Sequence, residues 1–379
     1  MIQLDVTVVN VAVKQIGATF GGGVAELQWV VSSYILMLAA LILPAGALGD
    51  RFGAKRVLLA GFAIFVAASM ACGLAPGFPV LIAARAVQGT GAALLGACSL
   101  ALLNDTFTSA AERARAIGLW AAGASSALSG GPVVGGILIA ALGWRSIFFL
   151  NAPIGLAGLW LIWRYAHDTP RAAHHRGTDL TGAVSAVVAL AAPVAVGFLV
   201  NVCFYGLIFL FSLLFPDPQG MSALRAGLAF TPMTAAILAA NLLSGRVSAA
   251  VGPVRAILAG LAAMAIGCAA LLWTGPATGY PAMAGQQVLL GGGLGLLVPP
   301  MTALLLSGAE RSRSGVASGA LTAFRQAGSL LGVAVFGALA AGGHFYRGLH
   351  AALWVSVAVL AASGLLIWFR GRGGEILGT

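Results

Sequence analysis

Three charged residues lie inside long apolar runs of this sequence, where burying a charge is costly and usually serves a function. Asp5 lies in LDVTVVNVAV, Arg85 in LIAARAVQGTGAAL and Arg325 in GALTAFRQAGSLLG. A carboxylic acid in apolar surroundings favours its neutral form, so Asp5 could load and release a proton. The alternative is that Asp5, close to Met1, is an interfacial residue in contact with water.

A buried guanidinium such as that of Arg85 needs an acceptor, either a backbone carbonyl or a carboxylate whose protonation it would then sense. Asp5 is the nearest candidate by topology, and a purely structural tether between helices is the alternative. Arg325 could contact a ligand or tie the second half of the chain together. The candidates for a substrate pathway are Asn10, Gln88, Asn151, Arg325 and Gln326.

A short polar turn, GALGDRFGAKR at positions 46–56, separates two long apolar runs. Its glycines allow two helices to leave the bilayer close together and the chain to reverse tightly. The turn is either a plain basic hairpin or a specialised gating turn in which one acid has several cationic partners. The residues of this gating motif are Gly46, Asp50, Arg51, Gly53, Lys55 and Arg56.

A second segment, GGPVVGG, combines small residues with a proline inside a predicted span. Proline interrupts the helical hydrogen-bond ladder and glycines permit close packing, so the segment should form a kink that seals one face of a pathway. An ordinary packing kink is the alternative. The residues concerned are Gly131, Pro132, Gly135 and Gly136.

The composition defines the class of protein that must position these residues. The 379 residues are 60% hydrophobic and 8% charged, with a mean hydropathy of +0.99, which predicts an integral membrane protein. The net charge of +10 comes from basic residues scattered in short loops, so nucleic acid is not an expected partner. The sequence has no phosphate-binding loop, no metal-ligand cluster and no nucleophile with a matching base, so we expect neither an enzyme nor a metal site.

Apolar stretches long enough to cross a hydrocarbon core of about 30 Å recur along the chain. The sequence predicts an all-α membrane protein of about twelve transmembrane helices, with an N-terminal six-helix bundle over 1–165 and a C-terminal six-helix bundle over 180–370. A cytoplasmic loop over 166–179 joins them and a cytoplasmic tail covers 371–379. The predicted spans are 2–20, 29–49, 57–76, 78–104, 117–142, 147–164, 180–215, 226–245, 256–274, 280–306, 315–341 and 350–369.

The distribution of Lys and Arg predicts the orientation. One side of the predicted membrane topology holds four Lys and Arg residues and the other side holds fourteen. The side with fourteen should be cytoplasmic, and it includes the turn at 46–56 and both termini. The four are Lys14, Arg145, Arg225 and Arg347. The fourteen on the cytoplasmic side are Arg51, Lys55, Arg56, Arg113, Arg115, Arg164, Arg171, Arg176, Arg246, Arg255, Arg311, Arg313, Arg370 and Arg372.

The turn at 46–56 has a counterpart, GRVSAAVGPVR at 245–255, at the matching place in the second half. The match indicates a duplicated six-helix unit, as expected of an alternating-access transporter. The shared residues are Gly46 with Gly245, Gly53 with Gly252 and Arg56 with Arg255, whereas Ala249 and Ala250 replace Asp50 and Arg51.

Four segments together resemble the major facilitator superfamily, and within it the drug:proton antiporters with fourteen spans. GALGDRFGAKR resembles the signature after the second span, and RAVQGTGAAL resembles the fourth-span motif with its buried arginine. GGPVVGG is similar to the fifth-span antiporter motif, and LDVTVVNVAV to the first-span motif of this branch. WRSIFFLNAPIG and FRQAGSLLGVAV are also typical of it, so the resemblance covers residues 4–369.

The resemblance implies a fold of two six-helix bundles related by pseudo-twofold symmetry, and efflux of drugs, antibiotics or other hydrophobic small molecules in exchange for protons. Asp5 would be the proton site and Arg85 the proton relay. The gating motif would latch the cytoplasmic side, and GGPVVGG would favour export over leak. The expected partners are a small-molecule substrate, protons and the lipid bilayer of the cell membrane; we expect a monomer without a cofactor, driven by the proton gradient.

The sequence also departs from that branch. Relatives have more chain before the first-span aspartate, so we expect a start further upstream or a shortened first span. Relatives also have two more helices between the halves. The predicted span 180–215 would be about 54 Å long as one helix, too long for a single crossing of about 30 Å, so we expect a kinked or partly surface-lying helix there. Lys14 stands where proline is usual, and Ala127 where the antiporter motif often begins with glycine. The alternatives are an uptake symporter of the same fold, which GGPVVGG argues against, and a truncated, transport-inactive membrane protein.

Overall fold

The computed structural model of the chain describes residues 1–107, 109–166, 191–308, 314–341 and 344–372. Within these residues the regular secondary structure is helical throughout. The predicted loop over 166–179, the start of the predicted 180–215 span and the predicted tail lie outside them, apart from Ala166 and residues 371–372. The chain divides into two compact units, Met1–Leu180 and Thr181–Thr379.

The helices of the first unit follow one another with short connections, as the short polar breaks between apolar runs predict. A four-residue helix precedes the last of them and adjoins it, so the two together form one apolar segment. The helices are α1 (Ile2–Phe20), α2 (Val24–Phe52), α3 (Ala54–Gly73), α4 (Phe78–Thr106), α5 (Ala110–Leu142), α6 (Ser146–Phe149) and α7 (Asn151–Tyr165).

The second unit repeats this pattern of long helices. One short helix lies immediately before a long one, and its N-cap residue Ser222 accepts a hydrogen bond from the Arg225 backbone N–H at 3.4 Å. The helices are α8 (Ala191–Leu214), α9 (Ala223–Leu228), α10 (Thr231–Val251), α11 (Pro253–Leu271), α12 (Pro281–Gly308), α13 (Ser314–Ala340) and α14 (Phe345–Arg372).

Ten helical segments of the described residues are long and apolar enough to cross a membrane. The helix α1 is not among them because polar residues, including Asp5, Asn10 and Lys14, lower its mean hydropathy. In α5 the apolar stretch, Ser126–Leu142, is shorter than the ten segments. With α1 and α5, the described residues contain twelve helical segments at the places of the twelve predicted spans. The predicted fold class, an all-α membrane protein, is confirmed.

In the first unit α4 packs between α2 and α3, and glycines allow the backbones to approach. A Cβ atom on Gly89 would collide with the carbonyl oxygen of Tyr34 in α2. On the other side of α4, a Cβ on Gly91 would lie 2.7 Å from the backbone nitrogen of Phe65 in α3. Larger residues at these two positions would therefore separate the three helices.

In the second unit, glycines likewise allow the backbones of neighbouring helices to approach. The helix α12 packs against α10 and α11, and a Cβ on Gly291 would collide with the carbonyl oxygen of Met233 in α10. A Cβ on Gly293 would lie 2.5 Å from the carbonyl oxygen of Gly260 in α11. The two units thus share this packing of glycines as well as three residues of the related turns.

The two related turns also share a backbone conformation. Gly53, between α2 and α3, has φ 92°, and Gly252, between α10 and α11, has φ 88°. Only glycine adopts such angles readily, because a Cβ would clash with the backbone. This requirement explains why glycine occupies the same place in both turns.

Candidate functional site

The carboxylate of Asp5 lies in the first turns of α1 and is buried, with 3% of the residue exposed. Its Oδ1 accepts two hydrogen bonds from neutral amides, one from Gln88 Nε2 at 2.8 Å and one from Asn151 Nδ2 at 2.9 Å. Its Oδ2 accepts a hydrogen bond from Arg85 Nη1 and forms an ion pair with it. The pairing expected between Asp5 and Arg85 is therefore present.

The guanidinium of Arg85 is held on several sides. In addition to Asp5, Nη1 donates to Gln88 Oε1 at 2.8 Å, and Nε donates to the carbonyl oxygen of Val30 in α2 at 3.1 Å. The guanidinium carbon lies 4.2 Å from the centre of the Tyr34 ring, a cation–π geometry. These contacts fix both the position and the orientation of the charge that faces Asp5.

Ser69 of α3 completes the network, and it was not among the residues predicted from the sequence. Its Oγ donates to the carbonyl oxygen of Phe148 at 2.8 Å and accepts from Gln88 Nε2 at 3.2 Å and Asn151 Nδ2 at 3.1 Å. Serine is common in membrane helices, so the sequence offered no signal that distinguishes Ser69 from other serines. The network joins side chains from α1, α3, α4 and α7.

This arrangement can hold a negative charge away from water. Both carboxylate oxygens of Asp5 accept hydrogen bonds from buried donors, and the charge is neutralised by one arginine. Within the described side chains, Asp5 is the only acidic residue that is buried. The site is therefore a buried ion pair whose carboxylate is hydrogen-bonded on both oxygens, and the proposed roles of Asp5 and Arg85 in proton coupling stay predictions.

The GGPVVGG segment lies in α5 and packs on the part of α1 that carries Asp5. A Cβ on Gly131 would collide with the Thr7 side chain, and a Cβ on Gly135 would lie 3.0 Å from Val8 Cγ1. Pro132 and Gly136 are also buried, and Pro132 lies inside the helix. Close packing is thus present at this segment, and its proposed role in favouring export stays a prediction.

The gating motif spans the end of α2 and the start of α3. Asp50, Arg51 and Arg56 are exposed, and Lys55 is half-buried. A Cβ on Gly49 would lie 2.9 Å from Cys98 Sγ, so this end of α2 packs on α4. The structure places the charged residues of the motif together at one end of the helices, and their latch function stays a prediction.

The other pathway candidates do not share one environment. Gln88 and Asn151 belong to the network around Asp5, whereas Asn10 Nδ2 donates within its own helix to the Val6 carbonyl oxygen at 2.7 Å. Arg325 and Gln326 lie on α13 in the second unit.

Arg325 lies where α13 packs on α8. A Cβ on Gly197 in α8 would lie 3.4 Å from Arg325 Cγ, and the carbonyl oxygen of Arg325 accepts a hydrogen bond from Ser329 Oγ at 3.0 Å. Ser329 Oγ also lies 3.4 Å from Asn201 Oδ1, so polar groups of both helices meet here.

The described residues contain no group of three or more His, Cys, Asp and Glu side chains that could hold a metal ion.

Comparison with known sequences gives three findings. The sequence profile of the Major Facilitator Superfamily matches residues 1–333. The methylenomycin A resistance protein of Streptomyces coelicolor is 34% identical in an alignment of 391 positions that covers 89% of this chain and 82% of that protein. The multidrug resistance protein Stp of Mycobacterium tuberculosis is 32% identical in an alignment of 397 positions that covers 90% of this chain and 74% of that protein.

The fold is also similar to a solved structure, a bacterial homologue of the human lysosomal transporter Spinster. The TM-score is 0.78 at 18% identity, and the match covers 98% of this chain and 94% of that one. These relatives are transporters and resistance proteins, not enzymes, which agrees with the prediction from the sequence.

Proposed function

Because the chain belongs to the Major Facilitator Superfamily, and is a multi-pass membrane transporter, we propose that it exports drugs or other hydrophobic small molecules from the cytoplasm in exchange for protons. The transport class follows from the family. The direction, the type of substrate and the coupling to protons are the proposal, and each has its own support.

Export of drug-like molecules is supported by the relatives. Two of them carry names that state resistance to methylenomycin A or to several drugs, and they align over most of their own length. The resemblance of GGPVVGG to the antiporter motif supports the same direction, and Gly131 and Gly135 of this segment pack closely on α1. A tight contact at this place would resist leakage along the helices.

Proton coupling rests on one observation, the buried carboxylate of Asp5 paired with Arg85. A buried ion pair is weak evidence for stability, since its desolvation offsets the attraction between the charges. An acid in a membrane protein that is both buried and paired is better explained as a site that changes its charge during transport. Arg85 would then act as the relay, because its charge loses its partner when Asp5 is protonated.

The same proposal includes the setting in which the transporter works. Both termini and the turn at 46–56 would face the cytoplasm, and the charged gating motif would latch that side. The proton gradient would be the energy source, without a cofactor. The partners would be the small-molecule substrate, protons and the bilayer of the cell membrane, and the chain would act as a monomer.

Transport assays in inverted membrane vesicles test the proposal. Vesicles containing the full chain should accumulate methylenomycin A, or the fluorescent cation ethidium, when a proton gradient is imposed. A protonophore should abolish the accumulation, and the Asp5→Asn variant should lose it at equal protein level. Accumulation that ignores the protonophore would contradict proton coupling, and proton-driven loss of the compound from the vesicles would indicate an uptake symporter.

A further inference from the structure

We propose that Asn151 senses the charge on Asp5: its amide donates to the ionised carboxylate and turns over to accept the O–H when Asp5 is protonated. This inference rests on the proposed function, since it requires Asp5 to be a proton site. It gives Asn151 a role different from the substrate contact expected from the sequence. In this role Asn151 is a positioning residue for the proton.

The geometry determines where a proton on Asp5 can go. Oδ2 faces Nη1 of Arg85, a cationic donor with no acceptor capacity, so a proton there would point at another proton. A proton on Oδ1 meets the amide nitrogens of Gln88 and Asn151, which also present hydrogens to it. One of these two amides must therefore present its oxygen for the neutral acid to be hydrogen-bonded.

Gln88 is not free to turn over. Its Oε1 accepts from Arg85 Nη1 at 2.8 Å and lies 3.7 Å from Cys72 Sγ, so rotation of the amide would direct its NH₂ group at the guanidinium. The charge-assisted bond to Arg85 would be lost and replaced by a contact between two donors. Gln88 thus remains a donor to Asp5 in both states.

Asn151 can turn over. Its Oδ1 is buried and has no hydrogen-bond partner among the described residues, and the whole residue is 1% exposed. A buried carbonyl oxygen without a partner is unfavourable, and after the turn it would accept the O–H of the neutral acid. The turn costs the bonds that Asn151 Nδ2 donates to Asp5 Oδ1 at 2.9 Å and to Ser69 Oγ at 3.1 Å, and it moves the NH₂ group to the position that has no partner. It occurs only when Asp5 is neutral, because the amide hydrogens would then face the O–H of the acid.

Among the described residues, the titratable groups around Asp5 do not supply another acceptor. The groups that interact with it are Arg85 of α4, Cys72 of α3 and the amino group of Met1, while Tyr34 of α2 faces Arg85. Asn151 is the first residue of α7, so its amide connects the charge on α1 to the start of α7. Protonation would therefore weaken the link from α7 to α3 through Ser69.

Infrared difference spectroscopy of the purified full chain in lipid tests this role. Acidification should produce a protonated carboxyl band that is absent in Asp5→Asn. It should also lower the frequency of one asparagine side-chain carbonyl band, because accepting a hydrogen bond weakens the C=O stretch. Labelling with ¹³C-asparagine identifies the residue type.

The variant Asn151→Leu should abolish the asparagine band shift while the carboxyl band remains. Asn10→Leu is the matched control, because Asn10 is also buried and its Oδ1 also lacks a partner among the described residues, but its amide bonds to Val6. The band shift should persist in Asn10→Leu. If Asn151→Leu does not fold, Asn151→Thr replaces it and must abolish the shift as well.

The outcomes separate the two proposals. A carboxyl band that depends on Asp5, without a band shift that depends on Asn151, overturns the sensing role and leaves the proton site intact. Absence of any carboxyl band that depends on Asp5 overturns the proton site and the sensing role together. A shift that disappears in Asn151→Leu and persists in Asn10→Leu supports both.

Discussion

The guanidinium of Arg85 lies over the ring of Tyr34, with its central carbon 4.2 Å from the ring centre. The two residues come from α4 and α2, and both are buried. The ring thus covers a face of the guanidinium whose edge is bonded to Asp5 and to the Val30 carbonyl oxygen. An aromatic face stabilises a desolvated cation electrostatically, so Tyr34 helps to keep the charge inside the helices.

We expect Tyr34→Leu to lower the free energy of unfolding by about 2 kcal/mol, because the cation–π contact of a desolvated arginine is lost. Tyr34→Phe keeps the aromatic face and should lose less. Thermal unfolding of the purified proteins in one detergent measures both. Equal losses in the two variants would show that the ring face does not stabilise Arg85.

The Asp5–Arg85 pair should behave as a coupled unit. Arg85→Gln leaves the Asp5 carboxylate buried without its cation, and breaking such a pair costs about 3–5 kcal/mol. In Asp5→Asn/Arg85→Gln no charge remains to be buried, so the double variant should be more stable than Arg85→Gln alone. A double-mutant cycle on unfolding free energies measures the coupling, and simple additivity would contradict it.

Gly131 should tolerate no larger residue where α5 packs on α1. Gly131→Ala places a methyl group on the Thr7 side chain, and we expect a loss of about 1–3 kcal/mol from overpacking. The neighbouring Gly130 is the matched control, since a Cβ there meets nothing within 4 Å. Gly130→Ala should be as stable as the parent chain or more so. Similar unfolding temperatures for the two variants would refute the close packing.

The turn between α2 and α3 should require glycine at position 53. Gly53→Ala forces a residue with a side chain to φ 92°, and we expect a cost of about 1–3 kcal/mol. Gly46→Ala, in the interior of α2 with nothing within 4 Å of the added Cβ, should instead gain up to about 1 kcal/mol from helix propensity. Chemical unfolding curves of the two variants should thus move in opposite directions.

Much of the fold could be predicted from the sequence because it depends on local patterns. The predicted span 2–20 coincides with α1, and the spans 78–104 and 280–306 lie within a few residues of α4 and α12. A helix in a membrane satisfies its own backbone hydrogen bonds, so the apolar length of a segment determines whether it spans. The glycines shared by the two related turns, Gly53 and Gly252, likewise stand at matching positions of the sequence, and both have positive φ.

The sequence by itself determined that this is a helical membrane protein and that Asp5 and Arg85 are its intramembrane candidates for an ion pair. Only the tertiary structure decided that Ser69, Gln88 and Asn151 join them, because Asn151 is 146 positions from Asp5 along the chain. A hydrogen bond requires two atoms to lie about 3 Å apart, and that distance depends on how separate helices pack and rotate. Hydropathy and spacing show that a helix forms, but the facing partner of each polar side chain is determined by packing between helices.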